Sequence, residues 1–560
     1  MRHLLCHDCT LPGGALARRG VPDSVPRIPL TNRLFPEYHV TMSAGCLATK
    51  LLASLLPAIV VVALAACAGS EPSASPTPAP TPTTPQSTVT PMGPVSTPAA
   101  PLLGPSLDLA SEPPLLTAFG IDPEDLAEGI PSLGHGDFNG DGFADILIGA
   151  PQADGPDNTR DRAGEAYVVF GRSTLPGNID LAETEPDITI FGGIEGDTLG
   201  FSVLGADVNG DGLDDILVGA PGASNKDDPR TDQGEVYVFF GSAELGGTLD
   251  IAKAPEDLRI TGAEGFSRVG HAIASGDVNG DGMNDIVLGA PFAGREPGTP
   301  PGSPRTEVGE AYVIFGGAGL GGTVSIPDGQ QDFTIGGQQR FGQFGGAVAT
   351  ADVNADGIDD IIVAAPQSDG PDGVPDAVGA VYVFFGAEGL SGRLTIAEGA
   401  EDVAIVGAGE RHSLGFPLAA GDFNGDRIAD IAMGARLAAG PQGDRSASGA
   451  VYVTFGRSDL TGTLDLAKGA QDAAIFGPQP SQLLPSSLAS GDLNGDGIAD
   501  LILGSGSASG PGGRAGAGVA YVVLGGPDLS AVDLAEGSQD LAIVGVDAGD
   551  SLGSPARSPG

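Results

Sequence analysis

The stretch Asp-Phe-Asn-Gly-Asp-Gly-Phe-Ala-Asp-Ile-Leu-Ile-Gly, residues 137–149, decides how this chain folds. Its first nine residues follow the pattern D-x-N-x-D-x-x-x-D, which recurs from Asp207, Asp277, Asp352, Asp422 and Asp492. Successive copies begin 70, 70, 75, 70 and 70 residues apart. Such a constant period is typical of repeat proteins, in which neighbouring units stack to bury a shared core.

Each copy places oxygen ligands at the same positions. Positions one, three, five and nine offer side-chain oxygens and position seven offers a backbone carbonyl, which together form the hard-oxygen set that Ca²⁺ prefers. The sequence therefore predicts up to six calcium sites. The predicted ligands are Asp137, Asn139, Asp141, Phe143 and Asp145; Asp207, Asn209, Asp211, Leu213 and Asp215; Asp277, Asn279, Asp281, Met283 and Asp285; Asp352, Asn354, Asp356, Ile358 and Asp360; Asp422, Asn424, Asp426, Ile428 and Asp430; and Asp492, Asn494, Asp496, Ile498 and Asp500.

An EF-hand begins with a similar string but closes with a bidentate Glu at position twelve. Here position twelve is apolar in every copy: Ile148, Val218, Leu288, Val363, Met433 and Leu503. Each loop runs into a short β-rich apolar segment, which predicts a buried strand rather than an exiting helix. The sites are therefore expected in strand-loop-strand turns.

One full period, read from Leu199, contains four short strand patterns and no helical period. The third pattern recurs as Tyr-Val-Val-Phe at 167–170 and as Tyr-Val-Phe-Phe at 237–240 and 382–385. Four antiparallel strands cannot bury both faces alone, so the repeats must stack, and radial closure protects their edges. We predict an all-β fold, a β-propeller of four-stranded antiparallel blades with six complete blades.

These residues resemble the FG-GAP repeats of the integrin α-subunit head and of many bacterial surface proteins. The Gly-Ala-Pro signature stands at 149–151, 219–221 and 289–291, and decays to Ala-Ala-Pro at 364–366. The resemblance implies a seven-bladed propeller with its calcium loops on one face and its ligand surface on the other. It also implies a binding or adhesion role.

The two ends of the repeat region match parts of a repeat. Residues 107–120 match 464–477, an outermost strand without the three inner strands that should precede it, and residues 549–553 match 196–200. We expect a seven-bladed parent whose last blade lacks its inner strands through truncation or a frameshift. The alternative is a complete six-bladed ring with spare ends.

Two loops depart from the pattern. In the fifth, Arg427 replaces a glycine and adds a positive charge beside the ion, which leaves the occupancy of the Asp422 loop in doubt. In the fourth, Ala355 replaces a glycine that is not a ligand, so that site should survive. Structural calcium that cross-links a hairpin is the favoured reading, and calcium that bridges to a ligand is the alternative.

The N-terminal region predicts export and anchoring. Lys50 and the apolar run 51–66 form a secretory signal, and Leu-Ala-Ala-Cys at 64–67 looks like a bacterial lipobox that would lipidate Cys67. The alternative is a chance Cys after an ordinary signal peptide. We expect translation from Met42, and localisation to the bacterial cell surface or envelope through the lipid anchor. The predicted segments are 1–41 untranslated or disordered, 42–66 signal, 67–105 a Pro/Thr/Ser-rich stalk, 106–553 the propeller and 554–560 a tail.

Composition narrows the partners. The formal net charge of −46 argues against nucleic acid, which needs a basic stripe. All four cysteines precede the repeats, so the propeller holds no disulfide, and no HExxH or P-loop motif occurs. We predict a non-catalytic module that binds an extracellular protein or polysaccharide. The alternatives are a calcium-stapled structural envelope protein and a hydrolase or lyase acting on polysaccharide.

Scarce cations gather in the loops that follow the second strand of each repeat. Because strands alternate in direction, these loops are expected on the face opposite the calcium loops. The sequence thus offers two readings, a recognition surface or simply solvated loops. The residues concerned are Arg160, Arg162, Lys226, Arg230, Arg295, Arg305 and Arg445.

Overall fold

The computed structural model describes residues 40–42, 106–108, 116–119, 132–173, 178–181, 185–224, 232–253, 256–262, 265–294, 307–369, 377–546 and 551–553. All of them belong to one compact unit, Glu37–Gly560. The unit Met1–Pro36 and the predicted lipidation site Cys67 lie outside the described residues. Among the described residues, no helix is both long and apolar enough to span a membrane.

The regular structure of the described residues consists of strands and single-turn 3-10 helices. The strands are β1 (Val40–Met42), β2 (Ser106–Asp108), β3 (Leu116–Phe119), β4 (Leu133–Gly136), β5 (Asp145–Ala150), β6 (Glu165–Val169), β7 (Asn178–Asp180), β8 (Ile188–Phe191), β9 (Ser202–Ala206), β10 (Asp215–Ala220), β11 (Glu235–Phe239), β12 (Gly247–Asp250), β13 (Leu258–Thr261), β14 (Ala272–Gly276), β15 (Asp285–Ala290), β16 (Glu310–Ile314), β17 (Gly322–Ser325), β18 (Phe333–Gly336), β19 (Ala347–Ala351), β20 (Asp360–Ala365), β21 (Ala380–Phe384), β22 (Gly392–Thr395), β23 (Val403–Val406), β24 (Leu418–Gly421), β25 (Asp430–Ala435), β26 (Ala450–Thr454), β27 (Gly462–Asp465), β28 (Ala473–Phe476), β29 (Leu488–Gly491), β30 (Asp500–Ser505), β31 (Val519–Val523), β32 (Ala531–Asp533) and β33 (Leu541–Val544). The 3-10 helices are Pro156–Asn158, Ile326–Asp328, Ile396–Glu398, Leu466–Lys468, Pro511–Gly513 and Leu534–Glu536.

Six five-stranded sheets form the blades of a β-propeller, which confirms the predicted fold class. Numbered one to six along the chain, the blades have the strand orders β4-β5-β6-β8-β12, β9-β10-β11-β13-β17, β14-β15-β16-β18-β22, β19-β20-β21-β23-β27, β24-β25-β26-β28-β32 and β29-β30-β31-β33-β2. The first four strands of each blade are antiparallel, as the repeat predicts.

The fifth strand corrects the prediction of four strands per blade. It comes from the following repeat and pairs in parallel with the outermost strand: β12 runs beside β8, with Gly247 opposite Ile188. The segment between the third and fourth strands of a repeat cannot enter its own blade, because β11 and β13 already pair with each other. By adding to the preceding blade instead, it covers an edge that would otherwise be open to unwanted pairing.

The N-terminal strands complete this pattern. β2 is the fifth strand of blade six, parallel to β33, and β3 pairs in parallel with β7 as an outermost strand does. The expected outer strand without inner strands is therefore present, in a three-stranded sheet with β1 and β7. β1 crosses the predicted boundary at residues 41 and 42. Truncation of a seven-bladed parent stays a prediction.

The core lies between consecutive blades. β10 and β11 are buried at every position, as the apolar runs that follow Asp215 and Glu235 suggest. Five hydrophobic clusters each combine side chains of two neighbouring blades, and none within the described ranges joins blade six to blade one. A Cβ on Gly149 would lie 2.0 Å from the carbonyl oxygen of Gly200, which explains why the Gly-Ala-Pro signature begins with glycine.

Candidate functional site

The six D-x-N-x-D loops connect the first and second strands of the blades, and we call the end of the propeller that carries them the acidic-loop face. The loops between the second and third strands, and those between blades, lie at the other end, which we call the opposite face. Antiparallel pairing of β5 with β6 places the two sets at opposite ends of the strands, as the sequence predicts.

Side-chain oxygens shape each acidic loop by accepting backbone amides. In the first loop, Asp137 Oδ1 accepts from Asp141 N at 3.0 Å and its Oδ2 accepts from Gly142 N at 2.9 Å. Asn139 Oδ1 accepts from Asp141 N at 2.8 Å. These short-range hydrogen bonds bring the predicted side-chain ligands into one tight turn.

The carboxylate at position nine is the buried end of each loop. Asp145 is fully buried, and its two oxygens accept from Phe138 N at 3.0 Å and Gly171 N at 2.8 Å. Burial, together with the nearby negative charges of Asp141 and Asp137, raises its pKa to about 7, although the two amide hydrogen bonds oppose the shift. Burial likewise raises the pKa of the equivalent carboxyl groups: Asp215, Asp285, Asp360, Asp430 and Asp500.

The chemistry of this donor set fits a hard cation. A buried carboxylate beside two further carboxylates gains from a positive charge. In the fourth loop Asn354 Oδ1 is a buried acceptor without a hydrogen-bond donor, whereas the matching Asn139 oxygen has one. Within the described ranges, no three Asp, Glu, His or Cys side chains already cluster closely enough to hold a metal ion alone. A cation would thus compete with the amides for the same oxygens.

Position six requires a left-handed backbone, which explains its glycine. Gly142 has φ 84° and Gly212 φ 90°. Arg427 adopts the same region with φ 73°, and its amide still donates to Asp422 Oδ2 at 2.7 Å. The fifth loop therefore keeps the backbone shape of the others at the cost of strain at a non-glycine residue. Ala355 at position four is also left-handed, with φ 63°.

Two of the predicted cations of the opposite face form ion pairs within the protein. Arg160 Nη1 lies 2.7 Å from Asp250 Oδ1, and Arg445 Nη2 lies 2.8 Å from Asp533 Oδ1. Both arginines are mostly buried, and each clamps a fifth strand onto the preceding blade. Arg162 is about half exposed. The other predicted cations lie outside the described residues: Lys226, Arg230, Arg295 and Arg305.

A polar cavity of about 520 Å³ opens on the opposite face beside blades one and two. Its wall includes Asp197, Glu235, Tyr237 and Arg259. Arg259 Nε donates to Glu235 Oε2 at 2.9 Å, while burial raises the pKa of Asp197 to about 7. Sequence reasoning missed this cavity, because its residues come from separate strands and loops that no common motif links.

Comparisons with known proteins agree with the repeat architecture. The FG-GAP repeat family model matches residues 130–169, 199–239, 269–314, 344–384, 418–454 and 484–523. The phosphatidylinositol-glycan-specific phospholipase D of Bos taurus is 34% identical over 218 residues, which cover 38% of this chain and 24% of that protein. Integrin alpha pat-2 of Caenorhabditis elegans is 29% identical over 247 residues, or 43% of this chain and 18% of the integrin.

A third relative, human integrin alpha-8, is 34% identical over 173 residues, which cover 30% of this chain and 14% of the integrin. The chain thus spans less than a quarter of the length of these relatives. Their names include both a phospholipase and integrin chains, so kinship alone leaves the activity of this chain open. Each of the six matched segments covers the first three strands of one blade, and the protein therefore belongs to the FG-GAP repeat family, with homology to integrin alpha chains.

Proposed function

We propose that this protein is a calcium-binding, surface-anchored propeller that acts as a non-catalytic binding or adhesion module. The observation that carries the proposal is the sixfold recurrence of one acidic loop, with its buried carboxylate, at the same place in every blade. Asp and Asn side chains together with a carbonyl form an oxygen set suited to Ca²⁺. The residues that would hold the ions are the thirty predicted from the sequence.

Bound calcium would neutralise the crowded carboxylates of each hairpin. The protein's own contribution is to gather the loop oxygens into one tight turn on backbone amides, which the ion would displace when it binds. Because calcium binds the folded loops and not the unfolded chain, its binding free energy should add to stability. Thermal unfolding in EDTA and in millimolar calcium chloride tests this, and equal melting temperatures would contradict calcium binding.

The opposite face is our proposed recognition surface, for an extracellular protein or a polysaccharide. Homology to integrin alpha chains supports a binding module. The polar cavity offers hydrogen-bonding groups from Glu235, Tyr237 and Arg259. Since Arg160 and Arg445 are held in ion pairs, recognition would depend on the cavity and the exposed loops more than on these two cations.

A binding screen tests this recognition proposal. The full chain is incubated with immobilised polysaccharides and extracellular proteins, with calcium and with chelator. We expect a partner that is retained in calcium and lost when Arg259 is replaced by Ala. Retention by no partner would favour the structural envelope protein.

One observation favours a second candidate, an enzyme acting on polysaccharide. Asp197 is almost fully buried, and burial raises its pKa to about 7. It shares the wall of an open cavity with Glu235, whose negative charge also raises the pKa of Asp197. Paired carboxyl groups with different pKa values are the usual machinery of glycoside hydrolysis. The ion pair of Glu235 with Arg259 argues for a structural role instead. Release of reducing ends that stops in an Asp197→Asn variant would establish the enzyme.

Export and anchoring complete the proposal. The apolar run 51–66, the Leu-Ala-Ala-Cys sequence and the Pro-rich stalk support a lipoprotein made from Met42 and lipidated at Cys67. Metabolic labelling with a radioactive fatty acid should mark the wild-type protein and leave a Cys67→Ala variant unlabelled. Equal labelling of both would contradict the anchor.

A further inference from the structure

A short backbone segment joins each acidic loop to the loop of the preceding blade. At the first junction, Gly241 N donates to Asp215 Oδ1, the buried carboxylate of the second loop, at 2.9 Å. The next amide, Ser242 N, donates to the carbonyl of Phe138 in the first loop, also at 2.9 Å. Phe138 N in turn donates to Asp145. Hydrogen bonds and the short stretches of backbone between them therefore connect the buried carboxylates of neighbouring loops.

The same connection recurs at all five junctions between the six blades. The donor pairs that link a loop to its predecessor are Gly241 and Ser242, Gly316 and Gly317, Gly386 and Ala387, Gly456 and Arg457, and Gly525 and Gly526. In each pair the first amide holds the position-nine carboxylate of its own blade. The second holds the position-two carbonyl of the blade before, at 2.8 to 3.1 Å.

Side chains reinforce the link. A Cβ on Gly140 of the first loop would lie 2.8 Å from Leu213 Cδ2 of the second, so the side chain at position seven rests on its neighbour's turn. Asp214 Oδ2 accepts from Asp137 N at 2.9 Å, and Asp359 Oδ2 accepts from Asp277 N at 3.1 Å. Neither Asp214 nor Asp359 is a predicted ligand. Each holds the first ligand of the preceding loop in place.

We propose that the calcium loops bind as a coupled series, in which an ion in one loop raises the calcium affinity of the adjacent loops. The inference rests on the proposed calcium binding and deepens it. An ion bound to the first loop fixes Asp145 and, through Phe138 and the Gly241–Ser242 segment, fixes Asp215. The second loop is then already ordered, so that its binding of an ion costs less conformational entropy. Coupling is reciprocal, so either loop helps the other.

The test compares a loop with two described neighbours and a loop with one. In the full chain, Asp277→Asn with Asp281→Asn disables the third loop, and Asp492→Asn with Asp496→Asn disables the sixth. Bound calcium is measured by equilibrium dialysis over a range of free calcium. We expect a Hill coefficient above one for the wild type. The third-loop variant should lower the calcium affinity of the remaining sites about fivefold or more, which is the lower end of common coupling factors. The sixth-loop variant should lower that affinity less.

A variant that keeps every predicted ligand distinguishes a loss of coupling from misfolding of the protein. Asp214→Ala should lower the average calcium affinity and the Hill coefficient while the number of ions at saturation stays unchanged. Asp161→Ala is the matched control, because it removes the same charge from an exposed position on the opposite face. Circular dichroism confirms that both variants are folded.

The outcomes separate the two proposals. If the wild type binds no calcium, the proposed calcium function fails and the coupling fails with it. The sites are independent if calcium binds with a Hill coefficient of one and both loop variants lose the same number of bound ions without a change in the affinity of the remaining sites. That result would overturn the coupling alone. An Asp214→Ala variant that titrates like the Asp161→Ala control would also overturn it.

Discussion

The two faces of the propeller are stabilised in different ways. On the acidic-loop face one arrangement recurs in every blade: a buried aspartate accepts one amide from its own loop and another from the segment after the third strand. On the opposite face the ion pairs differ from junction to junction. Arg160 reaches Asp250 at one junction, and Arg393 reaches Glu310 at another. The acidic-loop face therefore repeats one side-chain-to-backbone arrangement in every blade, whereas the opposite face carries ion pairs whose partners vary.

This difference indicates which parts of the repeat are free to vary. A carboxylate that satisfies two buried amides has no good substitute, because unpaired buried amides are costly. A side-chain ion pair can be lost or moved if both partners change together. We therefore expect substitutions on the acidic-loop face to cost more stability than substitutions on the opposite face.

Replacing Asp285 by Ala should have the largest effect. It leaves Gly316 N and Asn279 Nδ2 without their acceptor, at about 1–3 kcal/mol for each buried group, and removes one of the two acceptors of Val278 N. The free energy of unfolding should therefore fall by about 2–6 kcal/mol. Urea unfolding in EDTA measures it. The exposed Asp161→Ala control should change stability by less than about 0.5 kcal/mol. Equal effects of the two variants would remove the distinction between the faces.

Arg160→Ala should have the largest effect on the opposite face, about 2–3 kcal/mol, since it leaves the buried Asp250 without its bidentate partner and Gly192 O without a donor. Lys253→Ala is a matched control, because Lys253 pairs with the same carboxylate but its side chain is 72% exposed. That variant should lose less than about 1 kcal/mol. A similar loss for both would show that burial does not set the strength of these pairs.

Asp197→Asn tests a pH dependence on the opposite face. Burial, with the negative charge of Glu235, raises the pKa of Asp197 to about 7, although Arg259 and Arg160 oppose the shift. The folded state therefore holds a proton that the unfolded state releases between about pH 4 and 7, and wild-type stability falls as pH rises through that window. The variant should match the wild type near pH 4 and exceed it by about 1–2 kcal/mol at pH 5.5, since each pH unit inside the window is worth about 1.4 kcal/mol. A stability difference that does not change with pH would contradict the shift.

Arg427→Gly should have the smallest effect on stability. Relief of the left-handed backbone, about 1–2 kcal/mol, is offset by the flexibility that glycine gives the unfolded chain, so the net gain should stay below about 1 kcal/mol. Arg411→Gly is the control on the opposite face, where Arg411 has φ 61°. Both variants should gain similar stability in EDTA, and only Arg427→Gly should bind more calcium. Equal calcium binding by the two would show that Arg427 does not limit the fifth loop.

The sequence predicted those features whose partners lie within one repeat. The loop turns, the four antiparallel strands of each blade and the placement of the two loop sets depend on residues close together in the chain, and the structure confirms them. The fifth strand was missed although Gly-Thr-Leu-Asp recurs at 247–250 and 462–465. Its partner belongs to the preceding repeat, and a strand pattern does not reveal which edge it will join. The same reason hid the partners of Arg160 and Arg445.

The period and the loop chemistry are local properties repeated six times, so the amino-acid sequence was enough to predict the propeller fold, the count of complete blades and the residues of every acidic loop. Which cations are buried in ion pairs, where the polar cavity opens and how neighbouring loops are joined became visible in the folded arrangement alone. Those features depend on contacts between residues about 70 to 90 positions apart, such as Arg160 with Asp250 and Asp137 with Asp214. Such contacts form only once the blades have packed side by side.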